Sequence, residues 1–163
     1  MRPTIQLIFI WLAFGFSGFA QTEFVRVKVI DVHDGDTITV SDATKRTFRI
    51  RLIGIDTPEL EQKDGEWARK ELSKILQRDK KNVIVKTVKL DRFDRILAQV
   101  FVGEIDVNLE LLKLGLAWIY ELDWKVPKEY HEAFQKARKE KLGLFKRDEA
   151  IHPSEFRRQK KKS

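Results

Sequence analysis

Cysteine is missing from all 163 residues. That absence excludes disulfides, thiolate zinc sites and cysteine nucleophiles together, and leaves the fold to be held by its core alone. Histidine is scarce. His33, His131 and His152 are scattered along the chain and fit no paired-histidine phosphodiesterase pattern, and there is no Gly-rich loop of the phosphate-cradling kind. No internal repeat occurs. Acid is outnumbered, with 25 Asp+Glu against 32 Lys+Arg. A positive balance suits an anionic partner such as nucleic acid or a membrane surface, without choosing between them.

A long apolar run, "LIFIWLAFGFSGF", follows Met1-Arg2 and ends at Gly18-Phe19-Ala20. Short positive start, apolar stretch and small-x-small ending describe a signal peptide over 1–20. No charge falls between Arg2 and Glu23, so an uncleaved anchor is the alternative; Gly15, Ser17 and Gly18 favour cleavage. The segment contains one Arg and no acid, so its removal lowers the net charge of +7 by one. The remainder has room for one domain, expected over 23–147, which at this size buries roughly two thirds of its unfolded surface. Residues 148–163 form a basic tail, whose "FRRQKKKS" ending is expected to be mobile.

From Glu23 the pattern is that of strands. "FVRVKVIDV" alternates Phe24, Arg26 and Lys28 against Val25, Val27 and Val29, as a half-buried strand does. "TITVSD" and "KRTFRIRLIGID" continue an antiparallel meander. In "DGEWARKELSKILQR" (64–78) the period changes, with Ala68, Leu72, Ile75 and Leu76 on one helical face. "KNVIVKTVKL" and "RILAQVFV" return to strand. "DVNLELLKLG" predicts a short helix capped by Asp106 or Asn108 and stopped by Gly115. A last helix is expected from about Pro127 to Lys141, with Tyr130, Ala133, Phe134 and Ala137 on its inner face and Gly143 beyond its end. The order β-β-β-α-β-β-α-α is that of an α+β protein built on a five-stranded OB-type barrel with three helices. Barrels of this kind bind oligonucleotides or oligosaccharides, but fold alone does not decide function.

Two stretches carry candidate chemistry. In "VHDGDTITV" (32–40), Asp34-Gly35 signals a tight hairpin turn, while His33, Asp34 and Asp36 bring an imidazole and two carboxylates together. In "RLIGIDTPE" (51–59), Arg51, Asp56 and Glu59 surround a Thr-Pro turn at a strand end, where scaffolds often present reactive groups; a solvated strand residue and an ordinary turn are the plainer reading. Arg51 and Asp56 are five apart, and a regular strand would send them to opposite faces. One shared site therefore demands a break, expected near Gly54. Downstream, "KLDRFDRILAQV" sets Arg92 and Arg95 around Phe93. Arginine binds phosphate through a planar fork of donors, although Asp91 and Asp94 are equally placed to pair with these arginines.

Taken together, "DGDT" (34–37), "RLIGIDTPE" (51–59), "DRFDR" (91–95), "VNLELLKLGLA" (107–117) and "EAFQKARKEKLGLF" (132–145) resemble, in order and over nearly all of the chain past the leader, the staphylococcal nuclease (thermonuclease) family. The resemblance implies calcium-dependent hydrolysis of phosphodiester bonds in DNA and RNA, with low sequence preference. Carried over by position, Asp36 and Asp56 are carboxylate metal ligands with the Thr57 carbonyl beside them, Glu59 is the general base, and Arg51 and Arg95 hold the scissile phosphate. Asp34 becomes a group that orients ligands or metal waters, Arg92 and Phe93 contact substrate, and His33 is structural. The turn and the site are then the same stretch, the turn delivering Asp36. Two carboxylates and a carbonyl suit a hard cation such as Ca²⁺, held weakly, on the order of 10⁻⁴–10⁻³ M. With the leader, this implies a secreted, periplasmic or envelope enzyme acting on nucleic acid, with nothing demanding more than a monomer.

The match departs in places. Asp94 occupies a position usually held by Gly, and its charge beside Arg95 is expected to weaken phosphate binding. Phe93 stands for a commoner Tyr. Glu121 and Asp123 fall near positions where some members carry tyrosines, with Tyr120 and Trp124 the available substitutes or else core residues. Phe145 replaces a commoner Trp. A non-catalytic barrel binding single-stranded nucleic acid remains the second reading. A protein docking on anionic lipid through "RRQKKKS" is the third.

Overall fold

The computed structural model describes residues 24–121, 124–147 and 149–162; the expected signal peptide lies outside them. Strands β1 (Phe24–Val32), β2 (Thr37–Ser41) and β3 (Thr47–Leu52) form the expected meander. β4 (Ile55–Asp56) follows, then α1 (Gly65–Gln77), β5 (Val83–Leu90) and β6 (Ile96–Val102). The two-residue β7 (Ile105–Asp106) leads into α2 (Val107–Lys113), and β8 (Trp118–Ile119) precedes α3 (Lys128–Lys139). A 3₁₀ turn (Gly143–Lys146) and α4 (Pro153–Lys160) complete the described chain. Among the described residues, no helix is long and apolar enough to cross a membrane.

The long strands run β3-β2-β1-β5-β6, and β6 returns to pair with β3 in parallel, closing a five-stranded barrel. Alternation along the strands fills it: Val27, Ile38, Val40, Ile50, Leu52, Val83, Val85, Ala98, Val100 and Val102 are buried, as a closed OB-type barrel requires. α1 covers the barrel with Ala68, Leu72, Ile75 and Leu76, the four residues its period singles out. α2 takes Asp106 as its N-cap, whose carboxylate accepts from the Leu109 N–H at 3.1 Å. Tyr130 and Ala137 of α3 are buried, with Ala133 and Phe134 partly so.

A fourth helix is the main departure. The tail expected to be mobile turns into α4 from Pro153. Proline at the first helical position and the His152 Nδ1, which accepts from the Ser154 N–H at 3.1 Å, begin it. The absence of an apolar period hid this helix. It is held instead by Gln62, whose amide donates to the Ile151 carbonyl at 2.6 Å, by the His152 ring packed 5.4 Å from Trp118, and by a Lys160–Glu61 ion pair.

Candidate active site

Three local devices aim side chains into one cleft. The first is the turn between β1 and β2. It spans residues 33–36 rather than two residues, and the His33 N–H donates to the Thr37 carbonyl at 2.9 Å. Gly35 is not required here for a left-handed backbone. A Cβ on it would sit 2.6 Å from Thr57 Oγ1 and 2.8 Å from the Ala68 Cβ, so glycine lets the turn close onto the segment after β4. Asp34 Oδ1 accepts from the Asp36 N–H at 2.9 Å and stiffens the turn. Across the gap, Asp36 Oδ2 accepts from the Thr57 N–H at 2.8 Å and the Thr57 hydroxyl at 2.9 Å. Thr57 does lie beside Asp36, and the atoms it turns toward Asp36 are donors.

The second device is the break at Ile53-Gly54. Gly54 has φ of +81° and ends the regular course of β3, as the spacing of Arg51 and Asp56 requires. Asn108, fully buried on α2, fixes the break: its amide donates to the carbonyls of Ile53 at 2.8 Å and Ala98 at 3.2 Å, and its oxygen accepts from the Val100 N–H at 3.0 Å. Past the break, β4 pairs Asp56 with Trp118 of β8. Arg51 and Asp56 thereby meet, with Arg51 Nη2 donating to Asp56 Oδ1 at 2.9 Å. Arg51 also forms an ion pair with Asp36 through Nη1. That buried Nη1 lies directly against the Asp36 carboxylate. Burial disfavours the Arg51 charge, yet Asp36, Asp56 and Asp34 outweigh it and raise its pKa.

The third device is the turn between β5 and β6. Asp91 accepts from the N–H groups of Phe93 (2.8 Å) and Arg95 (3.0 Å) and from Arg95 Nε (2.8 Å). Asp94 adopts φ of +57°, the left-handed geometry that suits the glycine expected there. Asp94 thus costs backbone strain, while the charge paired with Arg95 is that of Asp91, at 2.7 Å. Phe93 is 63% exposed, with the guanidinium carbons of Arg92 and Arg95 at 4.8 and 5.5 Å from its ring centre.

Together these elements line a cleft of about 970 Å³ that contains Asp34, Asp36, Arg51, Asp56, Thr57, Glu59, Arg92, Phe93 and Arg95. Every residue that the resemblance assigns to metal, phosphate, proton transfer or substrate contact is therefore in one place, though Arg95 is turned toward Asp91. His33 is apart from the cleft lining, its Nε2 2.7 Å from the Thr39 hydroxyl. Tyr120, 38% exposed, also faces the cleft. Trp124 does not: it packs on Gly54 and stands 6.1 Å from the Tyr130 ring. Asp123 lies outside the described residues.

One residue escaped the sequence reading. Arg157 of α4 donates through Nη2 to Asp56 Oδ2 at 2.8 Å, and through Nη1 to Asp56 Oδ1 at 3.2 Å and Glu59 Oε1 at 2.6 Å. Arg158 and Lys161 accompany it into the cleft. The available signal was His152-Pro153-Ser154, a helix start ahead of the basic run, and a contact across 101 residues leaves no local trace.

Comparison with known proteins decides what this constellation belongs to. The family model described as staphylococcal nuclease homologue matches residues 49–147. An "Uncharacterized endonuclease" of Escherichia coli is 34% identical over 164 residues, covering 98% of this chain and all of that protein. The chain belongs to the staphylococcal nuclease homologue family. An "Uncharacterized endonuclease" of Haemophilus influenzae is 34% identical over 82% of this chain and 74% of its own length. "Micrococcal nuclease" of Shigella flexneri is 33% identical over 83% of this chain and 82% of its own. Membership supports phosphodiester hydrolysis as the activity and nucleic acid as the substrate.

Family membership also implies Ca²⁺. Among the described residues, no three His, Asp or Glu side chains form a ready-made metal cage. The donor set still fits a hard cation that keeps water and substrate as ligands: Asp36 and Asp56 are buried oxygen donors at the cleft floor. The Asp56 oxygens are both occupied by guanidinium groups, so positive charge already sits where a cation would be attracted.

Proposed function

We propose that this chain is an exported, monomeric, Ca²⁺-dependent nuclease that hydrolyses phosphodiester bonds in DNA and RNA with little sequence preference. The observation that carries this reading is the convergence of Asp36, Arg51, Asp56 and Glu59, drawn from the β1–β2 turn, β3 and the segment around β4, on one cleft. Asp36 and Asp56, with Thr57 beside them, would hold the cation, which would supply positive charge to the phosphate oxygens. Glu59 is partly exposed at the cleft wall, where it accepts the proton of a water attacking phosphorus. Arg51 and Arg95 bind the non-bridging oxygens and oppose the added negative charge of a five-coordinate phosphorus, the largest catalytic contribution in such sites. Arg95 must leave Asp91 to do so. Asp34 orients Asp36 through the turn, and Phe93 offers its exposed ring to a neighbouring base. Export rests on the leader-like residues 1–20.

The test uses purified protein with labelled single-stranded DNA, duplex DNA and RNA, in millimolar Ca²⁺ and in chelator. Cleavage in Ca²⁺, lost in chelator and reduced roughly 10²–10⁴-fold in Glu59→Gln, is the expected outcome. Salt-sensitive binding without cleavage under any divalent ion would make the chain a single-stranded nucleic-acid-binding barrel instead.

A further inference from the structure

Arg157 has no part in the reaction as proposed above, yet it occupies the proposed metal ligand Asp56 and the proposed base Glu59 simultaneously. We propose that Arg157 is a third phosphate-binding guanidinium of the cleft, parked on Asp56 and Glu59 until a divalent cation takes those oxygens. This rests on reading the cleft as a nuclease site.

The geometry supports both halves. Asp56 has two carboxylate oxygens, and Arg157 donates to each; a hard cation binding there competes for the same lone pairs. The parked arrangement consists of charge-assisted hydrogen bonds, two to Asp56 and one to Glu59. Displaced by the cation, the guanidinium remains within side-chain reach of the cleft floor. A permanently charged, planar donor fork beside a bound phosphate has an obvious acceptor. Arg157 then completes a ring of guanidiniums: Arg51 from the floor, Arg95 from the β5–β6 turn, and Arg157 from α4 on a further wall, all lining the same cleft.

The backbone of α4 does not depend on this side chain. Gln62 holds the Ile151 carbonyl, the His152 ring rests on Trp118, and Lys160 pairs with Glu61. Arg157 itself is 40% exposed, so it can turn without unpacking the helix.

Calorimetric titrations of the full protein test this without relying on turnover. Two probes are used: Ca²⁺ alone, and a deoxynucleoside 3′,5′-bisphosphate (which has no diester to cleave) in saturating Ca²⁺. Arg157→Gln is expected to tighten Ca²⁺ binding roughly fivefold to tenfold, because a competitor is gone. The same variant is expected to weaken bisphosphate binding roughly tenfold, because a charge-assisted donor pair is lost. These opposite signs are the signature of a group that exchanges partners. Arg157→Lys, which keeps the charge and loses the fork, should fall between on both axes, and it carries the test if the Gln variant folds poorly. Unchanged affinities, or two affinities shifted in the same direction, overturn the inference and leave Arg157 a structural tie. Wild-type protein that binds neither probe overturns the nuclease reading itself, and this inference with it.

Discussion

Asp34 sits beside Asp36 with its carboxyl pKa pushed up to about 7, by burial first and by the neighbouring Asp36 charge second. The folded state therefore holds a proton that the unfolded chain releases near its ordinary value of 3.8. Native protein binds more protons in that window, so this group's contribution to stability falls as pH rises from about 4 to about 7 and is flat above, with a slope of at most about 1.4 kcal/mol per pH unit. Melting measured in chelator across that range should show the decline, and Asp34→Asn should flatten it. Asp94 gives a second residue-level prediction. Its φ of +57° is relieved by Asp94→Gly, which should stabilise by about 0.5 kcal/mol in urea titrations. Cleavage should rise or stay level, since Arg95 is paired with Asp91. At this scale the sequence was informative about residue type and poor about partners. "DRFDR" flagged Asp94 as the odd residue in a glycine position, but not that Asp91 was the acid holding Arg95.

The elements place these residues through backbone contacts that sequence periodicity does not encode. α1 was legible because Ala68, Leu72, Ile75 and Leu76 repeat at helical spacing and are all buried. The break after β3 was legible for a different reason: Arg51 and Asp56 cannot share a site on a regular strand, and Gly54 lies between them. α4 was not legible, because ion pairs and a capping histidine hold it rather than an apolar stripe. Asn108 shows the other blind spot. Its position in α2 suggested only a helix cap, whereas the side chain binds β6 and the Ile53 carbonyl. Asn108→Ala strands these buried groups and should cost roughly 2–3 kcal/mol by urea denaturation, with activity lost out of proportion as Asp56 drifts from Arg51. Gly35→Ala works on the opposite side of the site. Its Cβ meets Thr57 and Ala68, so a loss of roughly 1–3 kcal/mol is expected, together with a lower affinity for Ca²⁺ because Asp36 is displaced from Thr57.

At the scale of the whole molecule, the excess of Lys and Arg acquires a location. Arg51, Arg92, Arg95, Arg157, Arg158 and Lys161 all line the one cleft. Binding of a short single-stranded oligonucleotide should therefore weaken steeply with salt, with a slope of about −2 to −3 on logarithmic axes if three or four of these groups contact phosphate. The barrel was recoverable from the sequence because five strand-like runs with a helix between the third and fourth follow the OB-type order. What no strand announces by itself is the closing pair, β3 with β6, where Ile50 meets Ile96 and Arg51 meets Leu97. That pair brings together parts of the chain separated by α1 and β5. Arg51 lies on that seam and Arg95 immediately precedes it. The phosphate-binding arginines thus stand on the line where the barrel closes, and their spacing depends on that seam staying shut. A bound phosphate bridging Arg51 and Arg95 would act as a clasp across it, and substrate would protect the enzyme from unfolding at the very place where it is cut.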